Sequence, residues 1–255
     1  MKRKVLLAAA VSLGLTAMGH VAVAAEIKVL TAGAFKQVLL EAIPAFEAKT
    51  GHKVSIDNDT VGALVKRIDG GEAFDLVVVS PGAIKDLAKT GKVVDGIGID
   101  LAKVGVGVMV KEGAPKPDIG SVEAFKQAVL AAKSVAYIDP ASGGSSGVYV
   151  EALFAKLGIA DQVKPKAKLK KGGHVADLIS SGEAELGIHQ ISEIVSEKGV
   201  TLVGPLPAEI QNYTTYTVNL ATTAKGNAAA ATLFDYLAGP ALPPILKAKG
   251  MEPAH

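Results

Sequence analysis

The apolar positions of this chain change period repeatedly, and the changes mark out its elements. Glu26-Ile27-Lys28-Val29-Leu30 reads as a first strand. Ala34, Phe35, Val38, Leu39, Ala42, Ile43 and Phe46 then recur at the 3.6-residue period of a helix. Pro44 is expected to kink or divide that helix, and Gly51 to end it. Val54 and Ile56 alternate as a second strand. Asp59-Thr60 reads as an N-cap for a helix whose apolar face is Val61, Leu64, Val65 and Ile68. The continuous run 74–79, Phe-Asp-Leu-Val-Val-Val, has the character of a strand buried inside a parallel sheet. A helix over 83–89 follows.

Alternating strands and helices predict a parallel sheet covered on both faces. The pattern breaks at 104–110, Val-Gly-Val-Gly-Val-Met-Val, and at the turn-rich stretch 112–120. A second series follows, with helices at 122–132, 149–157 and 175–181 and strands at 134–138 and 184–190. It breaks again near 204–212, before a strand at 213–218 and two closing helices. The expected fold is α/β with two lobes, each a mainly parallel sheet flanked by helices, and a ligand cleft between them. Residues 26–105 open lobe 1, 106–204 form an inserted lobe 2, and 205–255 return to lobe 1.

The first 25 residues stand outside this scheme. Lys2, Arg3 and Lys4 precede an apolar run from Val5 to about Met18, and a small-residue cleavage site ends near Ala24 or Ala25. This is the pattern of a secretory signal peptide, and it places the mature chain in the periplasm, away from cytoplasmic ATP and NAD. Cleavage after Ala24 takes the basic count from 27 to 24 against 25 acidic residues, so a net charge of +2 becomes −1. A near-neutral chain gives no electrostatic reason to expect nucleic acid or a membrane surface as partner. With 0 cysteines there is no disulfide, no lipid-bearing cysteine and no thiol chemistry. No later apolar run reaches the roughly 18 residues of a membrane span. The lysine-rich stretch 164–171 contains Pro165 and ends at Gly172-Gly173, so it reads as a solvated loop or edge strand.

Four loops lie where strands hand over to helices, the usual ligand position in open α/β sheets. They are Thr31-Ala32-Gly33-Ala34, Asp59-Thr60-Val61-Gly62, Ser80-Pro81-Gly82 and the stretch 139–147. Each is built of small residues and leads into a helix whose first N–H groups lack internal partners, a setting that favours anions. Taken singly, each is ordinary turn chemistry; taken together, they point to an anion site. Gly143-Gly144-Ser145-Ser146-Gly147 also fits the G-x-S-x-G pattern of a nucleophile elbow. A hydrolase built on Ser145 would need an acid and then a histidine, for which Asp161 with His174, or Asp177 with His189, have the required order. His189 and Gln190 end a strand where they can face a cleft, as can Ser192 just beyond it. His52, His174 and His255 are scattered without metal-ligand spacing, so no metal is expected, and no cofactor-binding motif follows a strand.

These residues resemble the periplasmic molybdate-binding-protein family of ABC importers, which has the type II binding-protein fold. The resemblance runs through Phe46-Glu47-Ala48-Lys49-Thr50-Gly51, the helix opening at Gly62, the strand ending at Ser80, Ser146-Gly147-Val148-Tyr149, and Gly182-Glu183-Ala184-Glu185-Leu186-Gly187-Ile188. It implies a monomeric receptor without catalysis that closes over a small anion and delivers it to an ABC permease in the inner membrane. It implies ligand contacts from Gly33, Ala34 and Phe35, from Val61 and Gly62, from Ser80, from Ser145, Ser146 and Gly147, and from His189 and Gln190. The sequence also departs from the family. Where its first loop typically reads Ala-Ala-Ser-Leu, this chain has Ala32-Gly33-Ala34-Phe35, so a hydroxyl is missing. The serine before the second helix falls near Gly62. The expected tyrosine falls on Gln190, after His189 in place of an apolar residue. Molybdate or tungstate is the ligand the family implies; a site wider on lobe 1 and more polar at His189-Gln190 suits a small di- or tricarboxylate such as citrate or aconitate.

Overall fold

A computed structural model describes residues 24–254. The expected signal peptide, apart from Ala24 and Ala25, lies outside the described residues, as does His255. The first lobe begins with β1 (Glu26–Ala32), α1 (Gly33–Thr50), β2 (Lys53–Asp59), α2 (Val61–Asp69), β3 (Leu76–Val79) and α3 (Pro81–Lys89). β1 lies between β2 and β3, parallel to both. α1 continues through Pro44, so the expected division does not occur. The carbonyl that Pro44 leaves without a donor belongs to exposed Leu40, where water can reach it. Buried Ile43 and Phe46 hold the helix to the sheet on either side. Gly51 ends α1 in the left-handed region at φ 76°.

The chain then crosses to the second lobe in one long strand, β4 (Ile99–Lys111). After it come α4 (Val122–Ala131), β5 (Val135–Ile138), α5 (Ser145–Lys156), α6 (Ala160–Val163), β6 (Ala167–Lys170), α7 (Ala176–Ser180), β7 (Leu186–Gln190), α8 (Ile191–Val195) and β8 (Val200–Pro205). The chain returns through β9 (Tyr213–Leu220) and ends with α9 (Ala228–Leu237), α10 (Leu242–Ala248) and β10 (Glu252–Pro253). The strand order is β2-β1-β3-β9-β4-β7-β5-β6, with β8 and β10 also on β4. Each lobe therefore has a parallel part, β2-β1-β3 or β6-β5-β7, and an antiparallel part supplied by the crossing strands. The lysine-rich stretch supplies edge strand β6. Lys166 turns inward, and its Nζ donates to the carbonyls of Val129, Leu130 and Ala132 at the end of α4.

β4 changes partners midway. Ile99–Gly105 pairs with β9, whereas Val106–Val110 pairs with β7. At the change, Gln211 bonds both backbone groups of Val106: Val106 N–H donates to its Oε1 at 2.9 Å and its Nε2 donates to the Val106 carbonyl at 3.0 Å. Separate apolar cores lie on either side. One gathers Phe35, Phe46, Leu64, Leu76, Tyr216 and Leu233; another gathers Val106, Phe125, Phe154 and Ile188, with Leu206 and Ile210 from the returning segment. The lobes meet again across the cleft mouth, where Thr60 Oγ1 donates to the Ser142 carbonyl and Gly62 N–H to the Gly143 carbonyl at 3.2 Å.

Three outcomes follow. Gln211→Ala takes the Gln211 acceptor from Val106 N–H and one of two donors from its carbonyl, which keeps Leu206 N–H at 3.0 Å, and is expected to cost about 1–3 kcal/mol in urea unfolding. Gly62→Ala puts a β-carbon 2.9 Å from the Gly143 Cα. Backbone cannot yield as a side chain can, so the mouth is held apart: small-angle scattering is expected to give a larger radius of gyration and titration a weaker ligand affinity. Thirdly, hydrogen bonds from Arg67 and then from Lys28 hold the Glu72 carboxyl down at about 2 rather than 4.5. Its folded value lies below its unfolded one, so its stabilisation is full above about pH 4.5 and fades towards pH 2. Thermal melts across that window should fall more steeply for the wild type than for Glu72→Gln.

Candidate functional site

The helices differ in how their first turns are capped, and α6 and α10 away from the cleft lack a side-chain cap as well. Away from it, α3, α4 and α9 are capped by the side chains of Ser80, Ser121 and Asn227. At the cleft, α1 and α5 begin at Ala32 and Gly144 without any side-chain cap. Their first N–H groups are left for whatever occupies the cleft, at the positive end of each helix dipole. α2 is the exception: Thr60 accepts from Ala63 N–H at 3.2 Å.

Between these helix ends lies a chain of buried polar side chains. Ser146 Oγ is 3.0 Å from His189 Nδ1. His189 Nε2 is 3.2 Å from Glu193 Oε2, without an aligned hydrogen bond. His189 ends β7 and Glu193 lies in α8, so the strand-to-helix turn brings residues four apart together. His189 is 3% exposed and Glu193 8%. Beside them Gln190 Nε2 donates to Thr214 Oγ1 at 2.9 Å, leaving its Oε1 buried without a partner. An unpartnered buried amide oxygen and imidazole nitrogen on one cleft wall are costly unless a ligand or water completes them. Tyr216 also lines the cleft. Burial, and then the nearby Glu193 carboxylate, push its phenol well above the ordinary value, so it is an O–H donor at any working pH.

The cleft brings together Gly33, Ala34, Val61, Ser145, Ser146, His189 and Gln190. The other expected contacts lie elsewhere. Phe35 is fully buried in the first core, with its ring 6.2 Å from that of Tyr216. Gly62 forms the mouth contact. Gly147 packs α5 onto the Ile138 carbonyl, where a β-carbon has no room. Ser80 is the cap of α3 and does not line the cleft. α5 begins at Ser145, four residues before the expected start, because its first turn holds Ser and Gly instead of an apolar stripe. Ser192, expected to face the cleft, instead donates to the Ala34 carbonyl at 2.9 Å and ties α8 to α1.

The hydrolase constellation does not assemble as its chain order required. Asp177 pairs with Lys170, and the serine beside His189 is Ser146 rather than Ser145. Glu193, Asn58 and Tyr216 line the cleft without having been singled out from sequence. For Glu193 a signal existed in its spacing of four from His189. His174, which looked isolated, also lines the cleft, and its Nδ1 is 3.0 Å from Glu197 Oε1.

Comparison with known proteins places this architecture. A family model described as bacterial extracellular solute-binding protein matches residues 27–252. A protein of a Pseudomonas species named aconitate isomerase is 32% identical over 231 residues, covering 88% of this chain and 87% of that protein. The molybdate-binding protein ModA of Azotobacter vinelandii is 30% identical over 250 residues, covering 94% and 95%. The solved periplasmic molybdate-binding protein of Azotobacter vinelandii superposes with a TM-score of 0.73 at 21% identity, covering 88% of this chain and 98% of that one. Most such relatives are binding proteins, but one is named as an enzyme, so membership does not by itself exclude catalysis. The chain belongs to the bacterial extracellular solute-binding proteins, with the type II fold of the periplasmic molybdate-binding proteins.

Proposed function

We propose that this protein, exported by its signal peptide to the periplasm, captures a small polycarboxylate in the interlobe cleft, with aconitate the first candidate. The observation that carries this reading is the buried Glu193 carboxylate on the cleft wall, paired with His189. Two uncapped helix ends supply neutral donors for anionic groups. A compact oxyanion takes all its charge wherever it sits, and a resident carboxylate opposes it. A carbon skeleton bearing several carboxylates can place those groups on the helix ends and turn C–H towards Glu193. Ala34 and Gly62, which stand where the family has hydroxyl donors, weaken the oxyanion reading further. The 32% identical relative named for aconitate supports the carboxylate class. In this reading the loaded protein delivers its ligand to an ABC permease.

The Glu193–His189 pair also favours a second reading, in which the ligand is turned over. Glu193 Oε1 makes no hydrogen bond among the described residues, while Oε2 faces His189. Such a carboxylate can take a proton from a methylene lying between a carboxylate and a double bond. The C–H electrons become a new double bond, the old π electrons move to the far carbon, and that carbon takes a proton back. No oxidant, reductant or cofactor is consumed. In propene-1,2,3-tricarboxylate the connectivity returns to itself, so the product differs from the substrate only in double-bond geometry.

One panel tests both readings. Thermal shift with aconitate, citrate and malate, against molybdate, tungstate and sulfate, is expected to respond to carboxylates, by about 2.7 kcal/mol at a hundredfold excess over Kd. A response to molybdate or tungstate alone overturns the carboxylate reading. Proton NMR of trans-aconitate with the protein then reads turnover: growth of cis-aconitate signals, lost in Glu193→Gln, is expected, and an unchanged spectrum leaves capture without catalysis.

A further inference from the structure

We infer that Glu193 decides which anions the cleft accepts, shutting out compact inorganic oxyanions, and that Gly33 exists to make room for it. The inference rests on the cleft being the anion site proposed above. Glu193 Oε1 lies 2.8 Å from where a β-carbon on Gly33 would stand. Gly33 is the first residue of α1, whose end at the cleft has no side-chain cap. The carboxylate thus occupies the place to which this helix end would otherwise draw an ion's charge.

Glycine is not required here by the backbone. Gly33 is absent from the glycines with positive φ, and it begins an ordinary helix. What requires glycine is space: the nearest atoms to its missing β-carbon are Glu193 Oε1 and, at 3.6 Å, the carboxyl carbon of the same side chain. Gly33 and Glu193 therefore form a matched pair, one opening α1 and one on α8, which Ser192 ties to α1.

The surroundings leave the charge of Glu193 largely unanswered. No lysine or arginine lines the cleft among the described residues. The titratable groups that do are His189, against Oε2, together with Tyr216, Asp59 and His174. A doubly charged tetrahedral ion at the α1 end would meet a like charge in a partly desolvated site, where such repulsion outweighs what it gains from neutral donors. A longer polycarboxylate avoids this by seating its charges at α5 and by the Gln190 amide, keeping carbon against Oε1. Specificity then comes from a repulsive element as much as from an attractive one.

The test uses the mature full-length chain as wild type, Glu193→Gln and Gly33→Ala, with calorimetric titration of sodium molybdate, sodium sulfate and tricarballylate. Tricarballylate is the saturated tricarboxylate, so turnover cannot confuse its binding. Glu193→Gln keeps shape and removes charge. Gly33→Ala pushes aside only the far end of a flexible side chain, and circular dichroism checks that both remain folded. The expected result is wild-type binding of tricarballylate with neither oxyanion held. Oxyanion affinity should rise at least tenfold in Glu193→Gln and by a smaller factor in Gly33→Ala. Tricarballylate binding by the wild type with no oxyanion gain in either variant overturns the filter and leaves the carboxylate reading standing. Tight molybdate binding by the wild type, Glu193 intact, overturns both.

Discussion

The structure depends on one strand serving two sheets. β4 gives its first half to β9 and its second half to β7 and β8, so the registers of both lobes are referred to one backbone. Hydrogen bonding would ordinarily weaken where such a strand changes partners, and at that point Gln211 bonds both backbone groups of Val106, whose carbonyl also accepts from Leu206 N–H. Everything that lines the cleft follows from this crossing. The C-terminal ends of β1, β2, β5 and β7 turn towards the same space, and the helices that follow them begin there.

The helix ends that open on the cleft then give it its chemistry. A side-chain cap stabilises a helix by about 0.5–2 kcal/mol, and the outward helices α3, α4 and α9 have one. α1 and α5 go without, and both open on the cleft. The unsatisfied donors cost stability in the empty protein, and an anion that bridges them recovers it. Ligand binding, lobe closure and overall stability are in this way the same free energy seen from three sides. The attraction is local, because the mature chain expected from the sequence carries almost no net charge.

Much of this was legible in the sequence, for identifiable reasons. Apolar periodicity marked β1, α1, β3 and β9 because burial acts on each of them directly. The loops at Gly33, Val61 and Ser145 were recognisable because small residues before a helix mean an approachable helix end. Ser80 gave the same local signal, yet α3 does not face the cleft, and only topology separates the two cases. Pro44 does not divide α1, because its cost depends on whether the Leu40 carbonyl can reach water, a property of the folded surface. Glu193 was overlooked because its role comes from a strand-to-helix turn that folds it back onto His189, and from the approach of α8 to Gly33. The spacing of four from His189 is a trace of the first only once a helix is known to start between them, and the approach to Gly33 leaves none. Gly33 itself was read as room for a ligand; the atom that fills the room belongs to the protein.

That last point bears on what the cleft is for. A carboxylate at 8% exposure beside neutral donors opposes any anion that places its charge against it, so a site for compact oxyanions is better without it. It is tolerable where the ligand presents something other than charge to it. Carbon-bound hydrogen flanked by carboxylates is such a partner, and it is also the group from which a carboxylate can draw a proton. The same placement that rejects an oxyanion is thus the placement that proton transfer requires. In the proposed readings, selectivity and turnover need no separate devices: both would draw on one acidic side chain, the imidazole 3.2 Å from it and one glycine that leaves it room.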